Sequence, residues 1–269
     1  MKTRSIFFLI CFLIPALWGT AQNRNVRGNG KVVKKAIPIA DYNSIEVAGS
    51  MDIMYRQSED APYLEVTVDE NLLDYFTIQV EGKTLTLKYK KFDDKKGSRT
   101  YNIQPTAFTI KTNSKELKEI RSAGSGSIFV QTPLRTEKIE VNLAGSGNVT
   151  FDRLLQGTKG TFNLAGSGDI ILKNIQLEYL NCSLAGSGDI RVKGSAARAS
   201  YSLASSGEIE AFGCKTHKAE CSVAGSGNIN VYAVSQLDAS VVGSGDIFYK
   251  GNPVASKSKI GSGDIQQVD

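Results

Sequence analysis

Between Ala123 and Ile265 one phrase recurs eight times: an aliphatic residue (usually Ala), Gly-Ser-Gly, a short polar residue, then Ile or Val. The copies begin at Ala123, Ala144, Ala165, Ala185, Ala204, Ala224, Val242 and Ile260, so successive copies lie 18 to 21 residues apart. In the fifth, Ser205 replaces the first glycine. A period near 20 residues constrains the chain more than its composition does. It is the length of one solenoid turn, a unit that buries its apolar face only by stacking on its neighbours.

Around each motif the residues alternate with period 2, the pattern of strands. One copy places Leu180, Cys182, Leu184, Gly186, Gly188, Ile190 and Val192 on one face and Asn181, Ser183, Ala185, Ser187, Asp189 and Arg191 on the other. The apolar set recurs as Ile139, Val141, Leu143 and Val149, as Phe162, Leu164 and Ile170, as Tyr201, Leu203 and Ile209, and as Cys221, Val223 and Ile229. Both glycines of each motif fall on this inward face. The first of each pair is Gly124, Gly145, Gly166, Gly186, Gly225, Gly243 or Gly261. The second is Gly126, Gly147, Gly168, Gly188, Gly227, Gly245 or Gly263. Glycine suits a strand that bends there, or a place where another backbone approaches closely.

Such short units leave no room for a helix in every turn, so their strands stack parallel, roughly 4.8 Å apart. The expectation is an all-β, right-handed parallel β-helix. A left-handed β-helix would carry a six-residue sub-repeat that is absent here, and the alternation excludes an α-solenoid. A degenerate copy, Val47–Ile53 with Met51 in place of the second glycine, reads as the first coil. A long excursion follows it. The excursion holds an acidic turn at Asp69–Tyr75, a hairpin of Phe76–Val80 with Thr84–Tyr89 turned by Glu81-Gly82-Lys83, an exposed charged loop Lys90–Arg99, and a return at Ala107–Thr112. Residues 22–118 are thus the first coil and its capping excursion and 119–269 the coil stack, together one continuous unit.

The repeated Ala-Gly-Ser-Gly-Asp-Ile, the turn Glu70-Asn71-Leu72-Leu73-Asp74-Tyr75 and the late Tyr249-Lys250-Gly251-Asn252-Pro253 resemble the head GIN domain family of auto-transporter adhesins. The resemblance spans about residues 38–266. It implies a secreted bacterial β-helix protein and brings no catalytic residues with it.

The N-terminus reads as a secretory leader over residues 1–21. Lys2 and Arg4 precede an apolar run from Ile6 to Leu17, and Gly19-Thr20-Ala21 supplies small residues for cleavage after Ala21. Cys11 lies within the apolar run, a poor position for lipidation. No later segment is long and apolar enough to span a membrane, so the expected location is the periplasm or the cell surface. The formal net charge is +5, and two of the positive charges are Lys2 and Arg4. No basic stripe with interleaved aromatics remains, which argues against nucleic acid. The cluster Lys88, Lys90, Lys91, Lys95 and Lys96 reads as a solvated face.

Three cysteines follow the leader: Cys182, Cys214 and Cys221. Cys182 and Cys221 hold the same inward position two coils apart with Tyr201 between them. That separation, roughly 9.6 Å, exceeds disulfide reach. Whether Cys214 pairs with Cys221 stays open. Cys214, His217 and Cys221 have the spacing of three metal ligands, but they sit in an expected loop with no fourth donor to close a zinc site.

The position after each Gly-Ser-Gly reads Ser127, Asn148, Asp169, Asp189, Glu208, Asn228, Asp246 and Asp264. In register, Asp169, Asp189 and Glu208 form an outward acidic ladder, continued by Asp246 and Asp264. Three uses are open to it: hydrogen bonding to neighbouring backbone, contact with a glycan or a weakly held calcium ion, or a glycosidase-like carboxylate pair. Catalysis needs two carboxylates in unlike settings, and a repeat supplies like ones.

The expected function is therefore a non-catalytic binding or adhesion module presenting a flat Ala/Ser/Asp ladder to a glycan or a cell-surface protein. It needs no cofactor beyond weak calcium, and its oligomeric state is open. The alternatives are a carbohydrate-active enzyme with an outer-face acidic site and a structural envelope protein without a soluble ligand. An aromatic-lined cleft beside the ladder would favour the enzyme, and an unbroken flat stripe would favour binding.

Overall fold

The computed structural model describes residues 24–90, 92–94, 97–99 and 101–269. The expected leader, with Cys11 and Ala21, and the lysines Lys91, Lys95 and Lys96 lie outside these residues. Strands make up 72% and helix 3%, arranged as a β-solenoid of about seven turns.

In chain order come β1 (Arg24–Arg27), β2 (Val32–Pro38), β3 (Ser44–Ala48), β4 (Asp52–Gln57) and β5 (Tyr63–Asp69). A 3₁₀ turn Glu70–Tyr75 follows, then β6 (Phe76–Glu81), β7 (Thr84–Tyr89), β8 (Phe92–Asp94), β9 (Gly97–Arg99), β10 (Tyr101–Gln104) and β11 (Phe108–Ser114). The stack continues with β12 (Glu119–Gly124), β13 (Ile128–Val130), β14 (Leu134–Arg135) and β15 (Lys138–Gly145). Whole coils are then nearly continuous extended runs: β16 (Val149–Gly166), β17 (Asp169–Gly186), β18 (Asp189–Leu203), β19 (Glu208–Gly225) and β20 (Asn228–Gly243). The last coil is β21 (Ile247–Lys250), β22 (Val254–Gly261) and β23 (Ile265–Gln267).

Every coil-to-coil pairing from β12 onward is parallel, and equivalent motif residues face one another: Ala144 with Ala165, Ala165 with Ala185, Asp169 with Asp189. Coils of unequal length keep this register by absorbing the difference in shifts away from the motif, as between Leu172 and Ile175 or Arg191 and Lys193. The inward residues form one continuous core from Tyr42 to Ile265. Cys182 faces Tyr201 and Tyr201 faces Cys221. All three thiols are free and buried.

The glycine pairs owe their identity to the coil beneath. A Cβ on Gly166 would overlap the carbonyl oxygen of Gly145, and one on Gly168 the carbonyl oxygen of Gly147. The same overlap recurs at Gly126 with the Met51 carbonyl, at Gly227 with that of Gly207, at Gly245 with that of Gly227, and at Gly263 with that of Gly245. Gly166 also has φ +156°, which side chains rarely adopt. The two glycines of a pair are not equally inward, as the alternation alone had them. The second of each, Gly126, Gly147, Gly168, Gly188, Gly227, Gly245 and Gly263, is buried. The first is half-buried because the chain turns the corner there, and Gly261 at the open end is exposed. Met51 fills the second position in the first coil and is fully buried.

The first coil is β3 and β4, which pair parallel with β12 and β13. Beneath it β7 pairs parallel with β3, and β11 with β4. Antiparallel strands close this end: β6 on β7, β5 on β11, and β2 on β5. Three details differ from the expectation. The hairpin turn is only Gly82-Lys83, with φ +55° and +70°, a two-residue turn whose twist matches the strands. Within Lys90–Arg99, expected as a loop, β8 and β9 pair antiparallel. β2, and the parallel pair β1–β10, extend the cap beyond the expected excursion.

The other end is closed differently. The inward columns run Cys221, Ala239, Lys257 and Val223, Val241, Lys259. Two lysines thus stand where every coil from β15 to β20 has an apolar residue. Lys257 Nζ lies 4.6 Å from the centre of the Tyr249 ring and donates to the carbonyl of Ile265 at 3.2 Å. Lys259 Nζ reaches Asp264 Oδ1 at 3.2 Å. Inward charges on a terminal strand are a known defence against edge-to-edge association.

Candidate binding face

The Gly-Ser-Gly corner separates two outward surfaces, one before it and one after. The acidic ladder lies after it, and its members are in register as expected: Asp169 faces Asp189, and Asp189 faces Glu208. Their side chains are engaged. The backbone N–H of Asp169 donates to Asn148 Oδ1 (2.9 Å), that of Asp189 to Asp169 Oδ1 (3.1 Å), and that of Glu208 to Asp189 Oδ1 (3.3 Å). The same link joins Asp246 to Asn228 (2.9 Å) and Asp264 to Asp246 (2.7 Å). Each of these side-chain oxygens therefore holds a backbone N–H of the next coil.

Several of the carboxylates also have side-chain partners. Arg191 donates to Asp169 Oδ2 at 3.1 Å and to Asp189 Oδ2 at 2.6 Å. Asn230 donates to Glu208 Oε1 at 2.6 Å and to Glu210 Oε2 at 2.9 Å. Asp264 accepts from Gln266, from the Ile265 N–H and from Lys259, which hold its pKa at about 2. Between Asp169 and Asp189 the like-charge repulsion is reduced by the shared guanidinium of Arg191.

The Cys214, His217, Cys221 spacing dissolves on folding. These residues lie in β19, not in a loop; both cysteines point into the core and His217 is exposed. Among the described residues no three His, Cys, Asp or Glu side chains converge on a point that could hold a metal.

The surface before the corner is different in kind. Alternation turns every second residue outward, and parallel register stacks equivalents into columns. One column is alanine from Ala48 through Ala123, Ala144 and Ala165 to Ala185, ending in Val242 and Ile260, all exposed. The next is short and polar: Asn142, Asn163, Ser183, Ser202, Ser222, Ser240 and Ser258. Asn163 donates to Asn142 Oδ1 at 2.8 Å, tying two coils. Farther from the corner the side chains lengthen into a rim of Lys138, Lys159, Tyr179, Arg198, Lys218 and Gln236, again in register.

Floor and rim enclose a shallow groove of ≈ 330 Å³, lined by Tyr179, Asn181, Arg198, Ser200, Lys218, Glu220, Gln236 and Asp238 among others. Arg198 lies over the Tyr179 ring, 5.8 Å from its centre. A second depression, ≈ 290 Å³, continues the floor across Ser222, Ser240 and Ser258. The aromatic-lined groove is therefore separated from the acidic ladder by the corner.

Sequence reasoning looked after the corner and missed this rim. The signal was present: each rim residue stands six positions before the first residue of its motif, from Lys138 before Ala144 to Gln236 before Val242. Its mixed residue types do not read as a repeat unless they are counted from the motif.

The fold and this face define a class first: a parallel β-solenoid scaffold with one flat, in-register surface exposed along the stack. Residues 41–253 match the family described as "Putative auto-transporter adhesin, head GIN domain", and the chain belongs to that family. It is similar to the solved structure of a "putative lipid binding protein" from Parabacteroides distasonis, with 49% identity and a TM-score of 0.88, covering 91% of this chain and 100% of that one. It is also similar to a "putative adhesin" from Parabacteroides merdae, with 33% identity, a TM-score of 0.84 and the same coverage. A "putative adhesin" from Parabacteroides distasonis is 34% identical with a TM-score of 0.82, again over 91% of this chain and 100% of that one. Among curated proteins nothing matches the chain.

Proposed function

We propose that the chain is an exported, non-catalytic binding module of the bacterial cell envelope. Its working surface is the flat face before the Gly-Ser-Gly corner, laid against an extended polymer, a glycan or a surface protein. The observation that carries this reading is the column of short side chains from Asn142 to Ser258, half-buried to exposed, beside the alanine column and in register through the stack. Short side chains lose little rotamer freedom on contact. Similar short polar contacts repeat every coil, about 4.8 Å apart, so a polymer lying along the solenoid axis gains many weak interactions at once.

The relatives are described as adhesins and as a lipid-binding protein, which agrees with a binding role and names a lipid surface as the competing occupant. Export rests on the basic-then-apolar leader before Ala21. An enzyme reading of the ladder asks for two carboxylates in unlike environments, whereas Asp169 and Asp189 share one guanidinium. The ladder serves the fold instead, by joining coils.

A glycan array and vesicle flotation, run on the mature chain and on the double variant Ser202→Trp with Ser222→Trp, test the proposal. Both serines are exposed, so the variant folds and melts as the wild type does. The wild type binds at least one extended glycan and the variant does not. Equal binding by both, or binding to vesicles alone, overturns the reading.

A further inference from the structure

The two charged columns of the solenoid are treated in opposite ways. After the corner, Arg191 bridges Asp169 and Asp189 and Lys259 pairs with Asp264, so three members of the acidic column hold a cation within the fold. Before the corner, Arg198 faces Lys218 directly, and Tyr179 stands between Lys159 and Arg198. Lys159, Arg198 and Lys218 are all exposed, and among the described residues none has a carboxylate within ion-pair distance. Their neighbour Lys138 is paired with Glu140 at 3.1 Å, which makes the contrast local. Like charges directly opposite on adjacent strands destabilise a sheet. Stability therefore does not account for the column, but an anionic ligand would.

We propose that this rim is the subsite for a linear acidic glycan, one carrying a carboxylate on successive sugar units. The inference rests on the binding face proposed above and names the ligand class for it. Arg198 and Lys218 are one coil apart, about 4.8 Å, and Lys159 lies two coils, about 9.6 Å, from Arg198, close to the lengths of one and of two pyranose units. An extended peptide advances about 3.3–3.6 Å per residue and falls out of step after a few coils. Arg198 lies over one face of the Tyr179 ring, and the rest of the side chain, 43% exposed, offers apolar surface between the cations against which a sugar can pack. Asn181 and Ser200 on the groove floor supply hydrogen-bonding groups for hydroxyls. Glu220 and Asp238 line the far end of the groove, and Gln236 donates to Asp238 at 2.9 Å. Glu220 stands two positions from Lys218 on the same strand and Asp238 faces Glu220 on the next coil, so they repel an anionic chain from the floor side and bias its charges towards the rim.

The test is calorimetric titration of the mature chain with polygalacturonate, with its fully methyl-esterified form, and with anionic phospholipid vesicles. Three proteins are compared: the wild type, the triple variant Lys159→Gln, Arg198→Gln, Lys218→Gln, and the double variant Ser202→Trp, Ser222→Trp. Polygalacturonate binds the wild type, and binding weakens as salt is added. The triple variant loses about tenfold or more in affinity, since three exposed charge contacts are removed. It melts no lower than the wild type, because the unmatched column has gone. Equal binding of the esterified polymer with no loss in the triple variant overturns the acidic-glycan inference. If the Trp variant still loses binding in that case, the face itself stands. Binding to vesicles only, or no binding of polygalacturonate by the wild type, also overturns the inference.

Discussion

Arg191 lays its guanidinium across two coils, with one terminal nitrogen 3.1 Å from Asp169 Oδ2 and the other 2.6 Å from Asp189 Oδ2. Two stacked carboxylates are thereby converted from a repelling pair into a clasp. All three side chains are partly exposed, so the clasp is worth only about 1 kcal/mol or less. Arg191→Ala should lower the melting temperature slightly, and Asp189→Asn in that background should restore it. Calcium at about the millimolar level should leave the wild type unmoved and stabilise Arg191→Ala. A thermal melt series with and without calcium checks both. A calcium-dependent rise in the wild type would show that Arg191 does not take the cation's place.

Asp69 is the hub of the N-terminal cap. It is fully buried, and its carboxylate accepts from the Gly30 N–H at 2.9 Å and the Thr106 N–H at 2.7 Å. Burial pushes its pKa up, but the Thr106 and Gly30 donors outweigh it and hold the group below its ordinary value. The unfolded value is about 3.9, so the stability Asp69 contributes is fully present above that pH. It is lost as pH falls through the lower folded value. Asp69→Asn places an amide against two N–H donors and should cost about 1–3 kcal/mol at neutral pH. Denaturant melts between neutral and acid pH should show the wild type losing stability only at the acid end, and the variant flatter throughout.

Much of the stack was legible because the motif fixes the register. Counting from it placed Cys182, Tyr201 and Cys221 in one inward column, where the structure has them. The same counting set both glycines of a pair equally inward, and it missed the corner that leaves Gly124 half-buried while Gly126 is buried. The cap was less legible. β2 closes β5 in antiparallel fashion, and no repeat exists from which to count its partner. Cys214 read as a loop residue because it lies beyond the register shift between Arg191 and Lys193, where period-2 counting from the motif loses phase. The rim was hidden for a chemical reason: Lys159, Tyr179, Arg198 and Lys218 share a place but no residue type.

Motif glycines should tolerate nothing larger. Gly166→Val drives a branched side chain into the Gly145 backbone from a positive φ and should cost on the order of 1–3 kcal/mol or more. Ser167 is exposed in the same corner, and Ser167→Thr should be nearly neutral. Equal melting shifts for the two would contradict the close backbone approach.

Lys257 and Lys259 should keep the open end from pairing with a second copy. The double variant Lys257→Val, Lys259→Val continues the columns that end in Ala239 and Val241 and leaves an apolar strand edge uncovered. Sedimentation should find the variant forming end-to-end dimers or longer species under conditions in which the wild type forms none through this edge. A variant whose assembly state matches that of the wild type would show that the lysines do not guard this end.

The proposed partner surface is the one before the Gly-Ser-Gly corner, not the acidic ladder after it. Hydroxyl-radical footprinting of the mature chain with and without polygalacturonate reads this directly, because a reactive ring stands on each side. Tyr179 marks the rim, and Tyr232 lies past the ladder, paired with Lys215 and Lys250 of the neighbouring coils. Protection of Tyr179 with Tyr232 unchanged is the predicted result. Protection of Tyr232 with Tyr179 still fully reactive would contradict the account.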